Sequence, residues 1–189
     1  MRKSVEISSD FAACSSSATA TATSPVTVFV RAHGMTKQTE ALLMQCHAQN
    51  EHFSFVDCTC SFVRKIHDIV EKHNSPEHVL FVLGTADHPE VVGFMSFFEG
   101  ERYVFSNAKA LEDAIVEQLS AKFSSKTPVM VAQTTQNLSE WKKCQKILRK
   151  YYTNPLIFDT ICNVTHLRQT EAASLASACD GMVVIGGRE

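Results

Sequence analysis

No apolar run in this chain approaches the ~18 residues that a membrane-spanning helix needs, and the first 25 residues lack the continuous apolar core of a secretory signal. A cytoplasmic protein is the expectation. Basic residues are not in excess either: 18 Lys and Arg against 20 Asp and Glu leave a net charge of −2. Nucleic acid, which requires a clustered basic face, is therefore not an expected partner. Seven cysteines are present, but at scattered spacings and without a secretory signal, which reads as reduced thiols and not as a disulfide framework. Charged residues make up only 20% of the chain and hydrophobic ones 44%, proportions that allow a sizeable core in one domain or two small ones.

The first 25 residues carry S-S-S-A-T-A-T-A-T-S-P, a small-residue tract that buries too little apolar surface to offset its ordering entropy, and they read as a disordered leader. From Val26 onward short β-rich runs alternate with amphipathic stretches. V-T-V-F-V, F-S-F-V, H-V-L-F-V-L-G, R-Y-V-F, P-V-M-V-A and M-V-V-I-G-G read as strands. Several are apolar throughout, as strands covered on both faces must be. Val63, Ile66, Ile69 and Val70 share one face of the helix expected after Cys60. Ser106 is placed to cap a helix over 108–119, and Asn137 or Ser139 to cap the one containing Trp141, while N-S-P at Asn74 to Pro76 signals a stop. The pattern predicts an α/β fold, a parallel sheet with helices on both sides.

Chemistry-bearing residues cluster at the expected strand-to-helix junctions, where α/β folds place their sites. They are His33 in R-A-H-G, Cys60 in V-D-C-T-C, His88 and Glu90 in D-H-P-E, Thr134 in Q-T-T and Cys162 in F-D-T-I-C. Thiolates are favoured near helix N-termini, so Cys60 and Cys162 suit metal ligation, yet each is also a small residue able to fill a tight junction. Glu90 beside a proline is equally a helix-start residue, and a loop histidine is often merely solvated. Cys58 forms C-x-C with Cys60, but the second pair or Cys/His spacing that a structural zinc site needs does not follow.

In this order, with G-M-V-V-I-G-G at Gly181 to Gly187, these segments resemble the LytB family, the iron-sulfur 4-hydroxy-3-methylbut-2-enyl diphosphate reductases, from about Val26 to the last residue. The resemblance implies a trefoil of three-layer αβα lobes with mainly parallel sheets. Residues 26–59 would end the first lobe, 60–160 form the central lobe and 161–189 begin the third. It further implies a [4Fe-4S] cluster with Cys60 and Cys162 among its ligands, and His33 and His88 as diphosphate-binding groups. Glu90 would be a proton-relay carboxylate and Thr134 the residue that orients substrate beside it. The implied reaction is reductive removal of an allylic hydroxyl, giving isopentenyl and dimethylallyl diphosphate in the non-mevalonate route to isoprenoids, with reduced ferredoxin or flavodoxin as donor. Gln133, Thr135, Arg168 and Gln169 match the family more loosely, as does His67.

Two departures bear on activity. The family holds its cluster with three cysteines, the first in a glycine-flanked segment that nothing here matches; Cys14 is the only candidate in its place. Members also continue into serine- and asparagine-rich diphosphate loops after the last strand, so the chain is expected to be truncated at both ends. The alternatives to an active reductase are accordingly an inactive family member, or a half-enzyme that needs a companion chain or a homodimer for the missing cysteine and loops.

Overall fold

The computed structural model describes residues 25–185, and the leader, Cys14 and the final G-G-R-E lie outside them. Two all-parallel sheets organise the chain. In the first, β1 (Val26–Val30) pairs with β2 (Phe53–Asp57), Val30 standing opposite Asp57, and α1 (Lys37–Gln49) crosses between them. Val28, Val30, Leu43 and Phe53 form the small core beneath this pair.

The second sheet has the order β4-β3-β5-β6, from Arg102–Phe105, His78–Leu83, Thr127–Ala132 and Leu156–Ile157. In β3 and β5 alternate residues serve opposite faces. Phe81, Leu83, Met130 and Ala132 point into a core with Leu111 of α4 (Ala108–Ala114) and with Trp141, Cys144 and Leu148 of α6 (Leu138–Tyr151). Leu80, Val82, Val129 and Val131 point the other way, toward Ile66 and Val70 of α2 (Ser61–Lys72) and Val91 and Phe94 of α3 (Pro89–Met95). Both faces are covered, which is why these strands read as unbroken apolar runs. A π-helical turn, Ile115–Leu119, and the short α5 (Ser120–Lys122) prolong α4.

Two local details depart from the sequence reading, and a third settles a choice it left open. Asn107, not Ser106, caps α4: its backbone is extended and its side chain accepts the Ala110 N–H, an alignment that the preceding residue does not have. Asn137 is the cap chosen for α6, accepting from Ser139 and Glu140. M-V-V-I forms no strand over 181–185, and Val183, Val184 and Ile185 are 80% or more exposed. An apolar run becomes a strand only when a partner edge is available, and among the described residues none pairs with it. α7 (Asn163–Ala178), which precedes this run, is itself exposed along its length, with Leu167 and Leu175 uncovered.

A joint links the two sheets. The Lys37 N–H donates to Ser96 Oγ at 2.8 Å, and Lys37 Nζ pairs with Glu99 at 3.1 Å. Between them lies His67, on the buried face of α2 and only 7% exposed, its ring 4.9 Å from Phe97. Burial, with help from Arg64 and against the pull of Asp68, lowers its pKa to about 4. A depressed histidine pKa favours the neutral ring in the folded state. Its contribution is therefore complete above the unfolded value near 6.5 and is lost as pH falls toward about 4.

Two outcomes follow for stability. Trp141, which is 1% exposed and donates its indole N–H to Asp159 at 2.6 Å, should cost about 3–5 kcal/mol when replaced by alanine, while Val183→Ser should change stability by less than about 0.5 kcal/mol. Urea unfolding at pH 7.5 measures both. Repeated between pH 7.5 and 4.5, the same titration should lose about 2–3 kcal/mol that His67→Phe does not lose. Equal acid sensitivity in wild type and variant would refute that assignment.

Candidate active site at the strand ends

Each candidate residue lies just beyond the C-terminal end of a strand, and strand register decides which of them meet. After β1 the chain turns through His33 and Gly34. Gly34 has φ +81°, a conformation that side chains other than glycine's rarely adopt, and its N–H closes the turn onto the Arg31 carbonyl at 3.0 Å. After β2 the Cys60 N–H donates to the Ala32 carbonyl at 3.0 Å, which ties the first cysteine to the residue beside His33. Asp57 shapes this loop: it accepts the Thr59 N–H at 2.9 Å and pairs with Arg64 one helical turn into α2. Cys60 is the N-cap residue of α2, yet its side chain makes no capping bond and is exposed.

The second half of the site comes from the level ends of β3 and β5. Leu83 stands opposite Ala132, and the Gln133 N–H continues the ladder to the Leu83 carbonyl at 2.9 Å. Thr134 therefore faces the loop that follows β3. There His88 caps α3, its Nδ1 accepting the Glu90 N–H at 3.2 Å, so the proton of the neutral ring sits on Nε2. Glu90 is 2% exposed and receives both donors of Thr134: the backbone N–H at Oε1 and the hydroxyl at Oε2, each at 2.7 Å. Two donors from one residue hold the buried carboxylate in a single orientation.

The second cysteine is brought in by Thr160. Its hydroxyl accepts the Ala132 N–H at 2.8 Å and donates to the Ala132 carbonyl at 2.7 Å, doing with a side chain what an adjacent strand would do with its backbone. Two residues later the Cys162 N–H donates to the Thr134 carbonyl at 2.9 Å. Cys162 is the N-cap of α7, half-buried and likewise without a capping bond from its thiol. β6, which leads into this segment, had no sequence signal beyond Leu156 and Ile157; its register against Val129 and Met130 positions it.

The structure thus joins Glu90 to Thr134, Thr134 to Cys162, Cys60 to the His33 turn, and His33 to His88, whose rings meet edge-on with centroids 5.4 Å apart. Arg168 and Gln169 are not brought in; both are exposed on α7. Gln133 is a brace, its amide oxygen accepting the Thr85 N–H and its nitrogen donating to Thr135. Cys144 is buried in the core, and burial pushes its thiol up to about 12. His47, His73 and His78 each engage a backbone carbonyl through Nδ1. The sequence reading passed over Asp57, Arg64 and Thr160, and its signal for the first two was their spacing around the C-T-C loop.

For an iron-sulfur cluster the donors present are right in kind and short in number. Two thiols free of hydrogen-bonding duty stand at helix starts, where thiolate is stabilised. Among the described residues, however, no group of three Cys, His, Asp or Glu is placed to hold a metal ion.

Comparison with known proteins agrees with this geometry. The family model described as LytB protein matches residues 3–189, which carries the likeness into the segment before Val26. The 4-hydroxy-3-methylbut-2-enyl diphosphate reductase of Campylobacter hominis is 33% identical over 161 residues, covering 85% of this chain and 54% of that protein. That of Desulfovibrio desulfuricans is 35% identical over 161 residues, with 85% and 52% covered. A solved structure of (E)-4-hydroxy-3-methyl-but-2-enyl diphosphate reductase, the terminal enzyme of the non-mevalonate pathway, superposes with a TM-score of 0.61 at 31% identity, over 86% of this chain and 54% of that one. The Plasmodium falciparum enzyme, at 22% identity, shares the fold with a TM-score of 0.62 over 82% and 46%. The chain spans about half the length of the curated relatives it matches. The family model, the sequence relatives and the shared fold together make this chain a member of the LytB family, with a partial form of its lobed α/β fold.

Proposed function

We propose that this chain carries the substrate-binding and proton-delivery part of a reductase acting on 4-hydroxy-3-methylbut-2-enyl diphosphate in isoprenoid biosynthesis. The observation that carries the reading is the buried Glu90 carboxylate, held at both oxygens by Thr134 and next to a helix-capping histidine that abuts another. In the overall reaction an allylic C–O bond breaks, two electrons and two protons are consumed, and the oxygen leaves as water. Glu90 relays the proton to the departing hydroxyl, and the Thr134 hydroxyl, whose own proton goes to Glu90 Oε2, orients that group by accepting from it. His88, donating through Nε2, and His33 hold the diphosphate. The electrons come from a reduced ferredoxin or flavodoxin, and the expected compartment is the cytoplasm; among the described residues no helix is long and apolar enough to cross a membrane.

Cys60 and Cys162 are proposed as two thiolates of a [4Fe-4S] cluster. In lobe terms, residues 26–59 end the first lobe, 60–160 form the central one and 161–189 begin the third. The shortfall of donors favours a second reading as well, a half-enzyme completed by a companion chain or by another copy of itself. The exposed apolar residues of α7 and of 182–185 favour it too.

Anaerobic reconstitution with iron and sulfide, followed by iron counting and EPR, separates these readings. Assembly in the chain or its homodimer should give about four irons per cluster, lost in Cys60→Ser and in Cys162→Ser. Iron uptake indifferent to both substitutions would remove the cysteines from the proposal. In cluster-loaded protein, alone or with its companion, Glu90→Gln should slow dehydroxylation by about 10²–10⁴-fold and leave pyrophosphate affinity within about twofold. His88→Ala should instead weaken pyrophosphate binding by about tenfold or more. Calorimetry and single-turnover kinetics distinguish the two, and a Glu90→Gln protein of undiminished rate would sink the proton-donor role.

A further inference from the structure

His67 is an uneconomical choice for a core position. Its Nε2 is buried and has no hydrogen-bond partner among the described residues, a state that costs about 1–3 kcal/mol and that an apolar side chain of similar size would avoid. Packing alone therefore does not explain an imidazole here. Its surroundings suggest what does. A Cβ on Gly34 would meet His67 Nε2 at 3.0 Å and Cε1 at 3.4 Å, and a Cβ on Gly93 would meet the same two atoms at 3.6 Å. One edge of the ring thus abuts two glycines that belong to different units.

Those glycines are close to the site. Gly34 immediately follows His33 in the left-handed turn beyond β1. Gly93 lies one turn along α3 from Glu90, on the helix that His88 caps. Phe94 and Phe97 close around the ring, both edge-on, at centroid distances of 6.4 and 4.9 Å. Other ties described across this joint are the His33–His88 ring contact, the approach of the Met35 carbonyl to Gly93, and the Lys37 bonds, whose ion pair with Glu99 is largely solvated, with Glu99 75% exposed. An exposed pair of that kind holds little by itself. Beside the direct approach of the Met35 carbonyl to Gly93, the side chain packed against both histidine-bearing segments is the His67 ring.

We propose that His67 is a positioning residue, a thin wedge that sets the separation of His33 and His88 and so the span of the diphosphate-binding pair. A five-membered ring that turns its Nε2–Cε1 edge to Gly34 permits an approach that a larger apolar group does not. Phenylalanine would drive a C–H into the Gly34 turn, and alanine would let the turn collapse toward α3. Either change moves His33 relative to His88 without touching either residue. The inference rests on the diphosphate reading only for its consequence in binding; the spacing itself can be read without ligand.

The experiment uses the full chain with selectively labelled histidine rings, in the wild type and in His67→Phe, His67→Ala and His67→Gln. Leu148→Ala, destabilised in the opposite core, serves as the control for lost stability. The ring-to-ring nuclear Overhauser contact between His33 and His88 should be present in wild type and control and lost in each His67 variant that folds. Pyrophosphate affinity measured by calorimetry should fall about tenfold in the same variants and stay unchanged in the control. Glutamine, the smallest change in polarity, keeps the test open if phenylalanine and alanine prevent folding. An unchanged contact and affinity in the folded His67 variants would overturn the proposal and leave the diphosphate reading intact. A wild-type protein that does not bind pyrophosphate would end the diphosphate reading, and the ring contact alone would then decide whether His67 sets the spacing.

Discussion

The in-register pairing of β3 with β5, from His78 opposite Thr127 to Leu83 opposite Ala132, is the constraint on which the site depends. Because the two strands end level, the loop holding His88 and Glu90 and the loop holding Thr134 emerge side by side, and one donor pair joins them. A slip of a single residue would turn every side chain of one strand to the opposite face and separate Glu90 from Thr134 by the same step. Such a slip is resisted by packing, since Phe81, Leu83, Met130 and Ala132 serve one core while Leu80, Val82, Val129 and Val131 serve another. The geometry of the candidate site is thus secured by hydrophobic burial some distance from it.

Outward from that pair, positioning passes through the backbone. Cys162 is tied to Thr134, and Cys60 to the turn containing His33, each by its own N–H and not by its side chain. Neither thiol makes a capping bond among the described residues, which fits the ligand role proposed for them. Thr160 and Asp57 stand behind them, each spending its side chain on a loop that has no strand neighbour to shape it.

Much of this was legible beforehand because it rests on local signals. Five strands, the buried stripe of α2 and the Asn137 cap follow from periodicity and from short polar side chains before helices. The six candidate residues were singled out because strand-to-helix junctions are where α/β folds place their sites, and because their motifs run in the order of the family they resemble. His67 was given only a loose family match, since nothing in its neighbours says that Gly34 and Gly93 will close on it from other elements. β6 was missed because two residues carry no periodicity, and M-V-V-I was taken for a strand because an apolar run looks the same with or without a partner.

The amino-acid sequence by itself determined the alternation of strand and helix, the apolar content of the central strands and the chemical types gathered at their ends. These depend on neighbours within a few residues, whose conformational preferences act whatever the rest of the chain does. Only the tertiary structure decided that Glu90 would receive both donors of Thr134, that His33 would meet His88, and that a buried imidazole would stand between their segments. Such contacts join residues 26 or more positions apart, and their geometry comes from strand register and core packing, which no local stretch of sequence specifies.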